Sequence, residues 1–189
     1  VFDGLNSFAD LEARIDKYEV EKDRGDIFEI FIEGYLATHP INQHEQHWVT
    51  GQFPLKLRER FNLPQKDKGI DGIYETYDGS HVAYQVKYWR KKPKLYFGEL
   101  GTYLALSDQF SERVLFTTAS SVDEETSSRS RCVLGDTFHS LSSNDLAKIT
   151  ALRLQLTWLE PCQTDGNQYT DLKLWRTTSQ LTCPTPVAK

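Results

Sequence analysis

The chain has no methionine in its 189 residues, not even at position 1, and it opens at Val1 without a start signal, so it reads as a segment of a longer protein or the product of processing. No apolar run approaches the ~18 residues that a membrane-spanning helix requires, and no signal peptide opens the sequence. Cysteine is scarce. Cys132, Cys162 and Cys183 are too scattered for a metal-ligand spacing and leave at least one thiol unpaired, and they read as reduced thiols of an intracellular protein. The five histidines form no ligand motif. His44 and His47 are placed in a polar loop or short helix and are not expected to bind metal, while His47-Trp48-Val49 looks like the start of a strand. There is no internal repeat and no low-complexity tract.

Net positive charge is also missing. The total is -5 and the pI about 5.6, which argues against nucleic acid if only the sum is considered, because Lys and Arg normally supply most non-specific affinity for phosphates. The distribution reverses this. Between Pro54 and Lys94 ten cations stand against five acids, so this stretch carries +5 and the remainder -10. The basic residues Lys68, Arg90, Lys91, Lys92 and Lys94 are interleaved with Trp89 and Tyr96, a combination that can neutralise phosphates and stack on a sugar or base. The plainer reading makes Arg90 to Lys94 a solvated loop after a strand.

The most informative stretch lies within that segment. Two alternating runs, Ile70 to Tyr77 and His81 to Tyr88, flank the turn Tyr77-Asp78-Gly79-Ser80 and read as a β-hairpin. Strand alternation puts Gln85 and Lys87 on one face and Tyr84, Val86 and Tyr88 on the other, with Asp71 across from Gln85 and Lys87. An acid, an amide and an ammonium at adjacent strand ends suit metal-assisted phosphodiester cleavage. Mg²⁺ prefers oxygen ligands and keeps several waters; Asp71 offers a carboxylate and Gln85 an amide oxygen. Lys87 can orient a water or stabilise transition-state charge. The plainer alternative is a turn aspartate beside the solvated face of a half-exposed strand.

Upstream, apolar positions from Ile27 to Leu36 predict a buried helix entered at Asp26, with Glu29 as capping partner. Glu29 and Glu33 lie one turn apart on it. Either could point at a metal; periodicity does not choose between them, and each also has a plain reading, Glu29 as a cap and Glu33 as a solvated position. The remaining pattern predicts a helix from Ser7 to about Glu21, capped by Ser7, and a loop-rich stretch around Trp48 and Phe53. A helix from Gly98 to Phe110 and a strand from Val114 to Thr118 follow. Then come a polar segment from Ser120 to Ser130, a strand near Phe138, a helix from Ser142, and a strand from Leu152 to Trp158. Length and a 39% hydrophobic content suffice for one core. A single domain over 1–160 is expected, with 161–189 as a turn-rich extension or linker.

In order and spacing, Gly25-Asp26-Ile27-Phe28-Glu29, then Gly69-Ile70-Asp71, then Tyr84-Gln85-Val86-Lys87 resemble the Mrr-like branch of the PD-(D/E)xK, or restriction-endonuclease-like, nucleases. The segments Gly98 to Phe110, Arg113 to Thr118 and Thr137 to Leu146 continue the similarity, which covers about residues 20 to 150. The resemblance implies an α/β fold, a central mixed sheet flanked by helices, and Mg²⁺-dependent hydrolysis of DNA, with Mn²⁺ as a substitute. It implies catalytic roles for Glu29, Asp71, Gln85 and Lys87, with the metal held by Asp71, Gln85, the Val86 carbonyl and Glu29. Gln at position 85 departs from the superfamily's commoner Glu but matches the Mrr-like subset, and Ile70 replaces the usual Pro before the Asp. Relatives are often joined to a helicase or other NTPase module, and Phe61-Asn62-Leu63-Pro64 is similar to such fused forms. A module that grips nucleic acid without cutting it is the alternative reading, and a protein-interaction domain a third.

Overall fold

A computed structural model describes residues 1–38, 44–64 and 69–157, the side chains of 153–157 excepted. Lys68, Cys162, Cys183 and the 161–189 extension lie outside these residues.

Seven strands and seven helices are described. The first helix, α1 (Phe8–Ile15), starts where Ser7 accepts the Asp10 N–H through its side chain at 3.1 Å, as predicted, but it ends at Ile15. The second, α2 (Glu21–Thr38), begins five residues before the expected entry at Asp26. Glu21 and Asp23 occupy its first turn, where acids suit the helix dipole. Asp26 is therefore no cap; it sits inside the helix and pairs with Lys22 one turn earlier at 2.6 Å. The two histidines belong to β1 (His44–Val49), both buried, not to a loop or helix. Helix α3 (Leu55–Arg60) lies in the stretch expected to be loop.

The hairpin is present as β2 (Gly72–Thr76) and β3 (His81–Lys87), paired antiparallel. Its turn is closed by Asp78, whose carboxylate accepts the Ser80 N–H at 3.0 Å, and by Gly79 at φ 80°. Then follow β4 (Lys94–Leu95), a 3₁₀ turn at Phe97–Leu100, α4 (Gly101–Leu106), β5 (Glu112–Thr117), β6 (Ser121–Val122), α5 (Glu124–Arg129), β7 (Arg131–Leu134), α6 (Gly135–His139) and α7 (Ser143–Thr157). Two expected strands are helices. Phe138 is on α6, where burial against Phe8 and Tyr35, rather than strand pairing, accounts for its hydrophobicity. The alternating leucines after Leu152 belong to α7, whose buried Leu146 and Ile149 follow helical spacing.

The main sheet runs β1-β2-β3-β5-β7, antiparallel across β1, β2 and β3 and parallel across β3, β5 and β7. It is an α/β fold with a mixed sheet and helices on both faces, as the sequence predicts. One face packs α1, α2, α6 and α7 on Tyr84, Val86, Tyr88, Val114 and Phe116. The other packs α3, α4 and the 3₁₀ turn on Ile73, Ala83 and Leu115. Strand β3 is thus covered on both sides, and the half-exposed strand of the plainer reading is ruled out.

Candidate active site

Asp71 sits one residue before β2, yet its backbone continues the ladder. Its N–H donates to the Tyr84 carbonyl at 3.0 Å and its carbonyl accepts the Thr50 N–H at 2.9 Å. Thr50 also donates its hydroxyl to the Ile70 carbonyl. Gly69, at φ 79°, brings the chain in against α4, where an added Cβ would lie 3.2 Å from the Tyr103 nitrogen. The aspartate is held by main chain on both sides before its side chain makes any bond.

The carboxylate then reaches across the hairpin. Its Oδ2 accepts the Val86 N–H at 2.6 Å and the Gln85 Nε2–H at 3.3 Å. The Val86 N–H points toward β2 beyond the last paired residue, so the carboxylate takes the place of the next ladder acceptor. A strand residue's carbonyl points to the same side as its N–H, so the Val86 carbonyl is directed to the same region. Gln85 is 6% exposed. With its amide nitrogen given to Asp71, its oxygen is the atom left for another partner.

Lys87 shares the Gln85 face and is partly exposed at the strand's end. Its carbonyl is fixed by the Thr118 N–H at 3.2 Å and the Thr117 hydroxyl at 2.9 Å, so the backbone that carries the ammonium is clamped to β5. Asp71, Gln85 and the Val86 backbone are therefore brought together, with Lys87 the next residue along the strand on the Gln85 face. Among the described residues no three His, Cys, Asp or Glu side chains gather in a metal-binding group. One carboxylate with neutral amide and carbonyl oxygens still suits Mg²⁺, a cation that keeps much of its water shell.

Helix α2 lies across the opposite face, and aromatic contacts give its direction. Phe28 meets Tyr88 at 5.6 Å and Tyr35 meets Phe116 at 6.3 Å. Glu29 is thus level with the end of β3 that carries Lys87, and Glu33 lies a turn farther in. Glu33 is 4% exposed, which rules out a solvated position, and Glu29 is partly exposed. Both have partners.

The basic loop divides in two. Arg90 faces Asp16 at 3.8 Å and Lys92 is bound to Glu12 at 2.9 Å, whereas Lys91 and Lys94 are exposed. Trp89 is packed against the core on the α4 side, so the exposed aromatic ring is that of Tyr96, with the Lys94 ammonium 5.6 Å from its centre.

Away from this end, a buried polar group braces the hairpin. His47 Nε2 and the Tyr84 hydroxyl lie 2.8 Å apart, and the His47 pKa is lowered to about 3 by burial and then by nearby His44. Tyr84 lies over Gly72, where an added Cβ would come within 2.2 Å of the ring. Sequence reasoning missed Thr50, Gly72 and the Thr117-Thr118 pair. Gly72, next to Asp71, was the only one with a local signal.

A restriction endonuclease family model matches residues 40–155. The match spans more than half of the sequence, and the chain belongs to that family, whose members are DNA-cleaving hydrolases. It begins after α2, so the hairpin site falls inside it and Glu29 outside. Among solved structures, an ATP-dependent Type ISP restriction-modification enzyme, LlaBIII, bound to DNA, is similar with a TM-score of 0.53 and 16% identity over 72% of this chain. That likeness concerns the fold. The matched region is 8% of the length of that enzyme's chain. No curated protein matches the sequence. Among the described residues no helix is long and apolar enough to cross a membrane.

Proposed function

We propose that this chain is a Mg²⁺-dependent endonuclease acting on DNA, and that it is the nuclease module of a larger intracellular enzyme with a helicase or other NTPase part. The observation that carries the reading is the convergence of Asp71, Gln85 and the Val86 carbonyl beside Lys87 at the end of a strand covered on both faces. Family membership supports it, and the small share of an ATP-dependent enzyme that the fold matches supports the modular part.

Asp71, Gln85 and the Val86 carbonyl would hold the cation, and Mn²⁺ would be accepted by the same oxygens. When bound, the cation lowers the pKa of a water and neutralises charge developing on the phosphate. Lys87 positions the attacking water and stabilises the transition-state negative charge through its ammonium. Glu29 adds a second acid from α2, directly or through water. Lys68, Trp89, Arg90, Lys91, Lys92 and Lys94 form the proposed DNA-facing group, with Trp89 acting from within the core and shaping the loop rather than stacking openly.

Asp71→Asn is the decisive test, because an amide oxygen can still accept the Val86 N–H while the charge is lost. Cleavage of plasmid and oligonucleotide DNA in Mg²⁺, Mn²⁺ and EDTA should fall by on the order of 100-fold or more, with the melting temperature nearly unchanged. Undiminished cleavage by the pure variant would refute the assignment.

A further inference from the structure

Helix α1 lies outside the family match, and together with its C-cap residue Asp16 it presents two carboxylates to the loop that follows Lys87. Glu12, with its side chain 12% exposed, accepts a hydrogen bond from Lys92 Nζ through Oε2 at 3.1 Å, with Oε1 2.9 Å from the same ammonium, and its Oε2 lies 3.1 Å from His139 Nε2. One turn on, Asp16 accepts the Tyr88 hydroxyl at 2.8 Å and faces Arg90 Nε at 3.8 Å. The same two acids therefore hold two of the loop's cations. Lys92 adopts φ 46°, an uncommon backbone conformation for a residue with a side chain, closed by its N–H to the Trp89 carbonyl at 3.2 Å.

We propose that α1 is an autoinhibitory latch whose carboxylates occupy Arg90 and Lys92 in place of DNA phosphates, so that a bound backbone must displace Glu12 and Asp16 to use them. This rests on the DNA-binding reading above. Holding Lys87 in place is not the helix's role, since Thr117 and Thr118 already fix that residue's carbonyl. The two contacts are unequal. Arg90 and Asp16 are loosely paired at partly solvated positions, where ion pairs contribute little. Lys92 and the mostly buried Glu12 form the tighter half.

The test compares wild type with Glu12→Gln, Asp16→Asn and, as a charge control, Glu21→Gln on α2. Duplex DNA affinity is measured against salt without divalent cations, beside the melting temperature of each protein. Glu12→Gln should tighten binding several-fold at low salt and steepen the log-log salt slope by about 0.9 for each freed phosphate contact. Asp16→Asn should do less, and Glu21→Gln should stay within about twofold of wild type, as expected for an exposed, solvent-screened charge. Binding that is unchanged or weakened in both α1 variants overturns the latch while leaving the nuclease reading intact. An equal gain in Glu21→Gln also overturns it, by reducing the effect to net charge. If Glu12→Gln melts at a markedly lower temperature, Asp16→Asn decides by the same criteria. No DNA binding by wild type or by any variant would remove the underlying DNA reading and the latch with it.

Discussion

Gly72→Ala gives the strictest check on the geometry around Asp71. The added methyl would lie 2.2 Å from both Cζ and Oη of Tyr84, so that ring must shift. It has little room: Tyr84 is 1% exposed, meets Phe116 at 5.8 Å and bonds His47 through its hydroxyl. Overpacking of this kind costs about 1–3 kcal/mol, and separating a buried hydrogen-bonded pair adds about 1–3 kcal/mol. A loss on the order of 3 kcal/mol corresponds to a fall in melting temperature of about 6–12 °C for a domain of this size. Thermal unfolding of four proteins tests the cause: wild type, Gly72→Ala, Tyr84→Ala and the double variant. With the ring gone, Ala at 72 should be neutral or stabilise by about 0.4–1 kcal/mol, because it restricts the unfolded chain. Strong coupling between the two sites is therefore expected. An equal cost of Gly72→Ala with and without the Tyr84 ring would refute the reasoning.

Three other outcomes follow from the same geometry. Glu29→Gln should lower turnover far more than Glu33→Gln, whereas Glu33→Gln should show mainly in the melting temperature; the reverse ranking in steady-state cleavage would mean that Glu33 is the acid at the metal. Replacing the exposed Lys91 and Lys94 with Gln should weaken DNA binding and flatten the salt slope by about 0.9 per lost contact, while Lys87→Ala should act on kcat; an unchanged slope in affinity titrations would remove the loop from the DNA surface. His47 should make the fold acid-sensitive: its folded pKa of about 3 lies below the ordinary 6.5, so the unfolded state binds the proton first. Its contribution is complete above about pH 6.5 and is lost as pH falls toward 3, by up to about 1.4 kcal/mol per pH unit. Denaturant melts across that range should show a shallower slope in His47→Asn.

What the sequence revealed was governed by the range of the interaction behind each signal. The hairpin was legible because its determinants are local: Asp78-Gly79 makes the turn, and register then places Asp71 against Gln85. The Ser7 cap and the helix start at Ser142 were legible for the same reason. Failures arose where burial imitated periodicity. Phe138 resembles a strand residue but is the centre of an aromatic cluster fed by α1 and α2, and Asp26 resembles a cap although the helix continues five residues before it. The charges of the basic loop were readable, but their partners were not. Glu12 lies 80 residues before Lys92 and Asp16 lies 72 before Tyr88, and no local pattern announces pairings at such separations.

The site's location follows from the limits of backbone pairing. β3 keeps the partners of its β5 side up to Lys87, but on its β2 side the ladder gives out at Asp71. A buried strand that loses its neighbour leaves an N–H and a carbonyl that must be satisfied from another source. Here a carboxylate takes the Val86 N–H, which draws a negative charge to the same edge as the Val86 carbonyl. The arrangement that stabilises an interrupted ladder thus also gathers oxygen atoms, with Lys87 beside them on a backbone that β5 holds. Under the proposed function, catalysis there would depend on the fold's own hydrogen-bond requirements, so substitutions at Thr50, Gly72 or Thr117 should lower the rate of DNA cleavage in a nuclease assay without touching DNA.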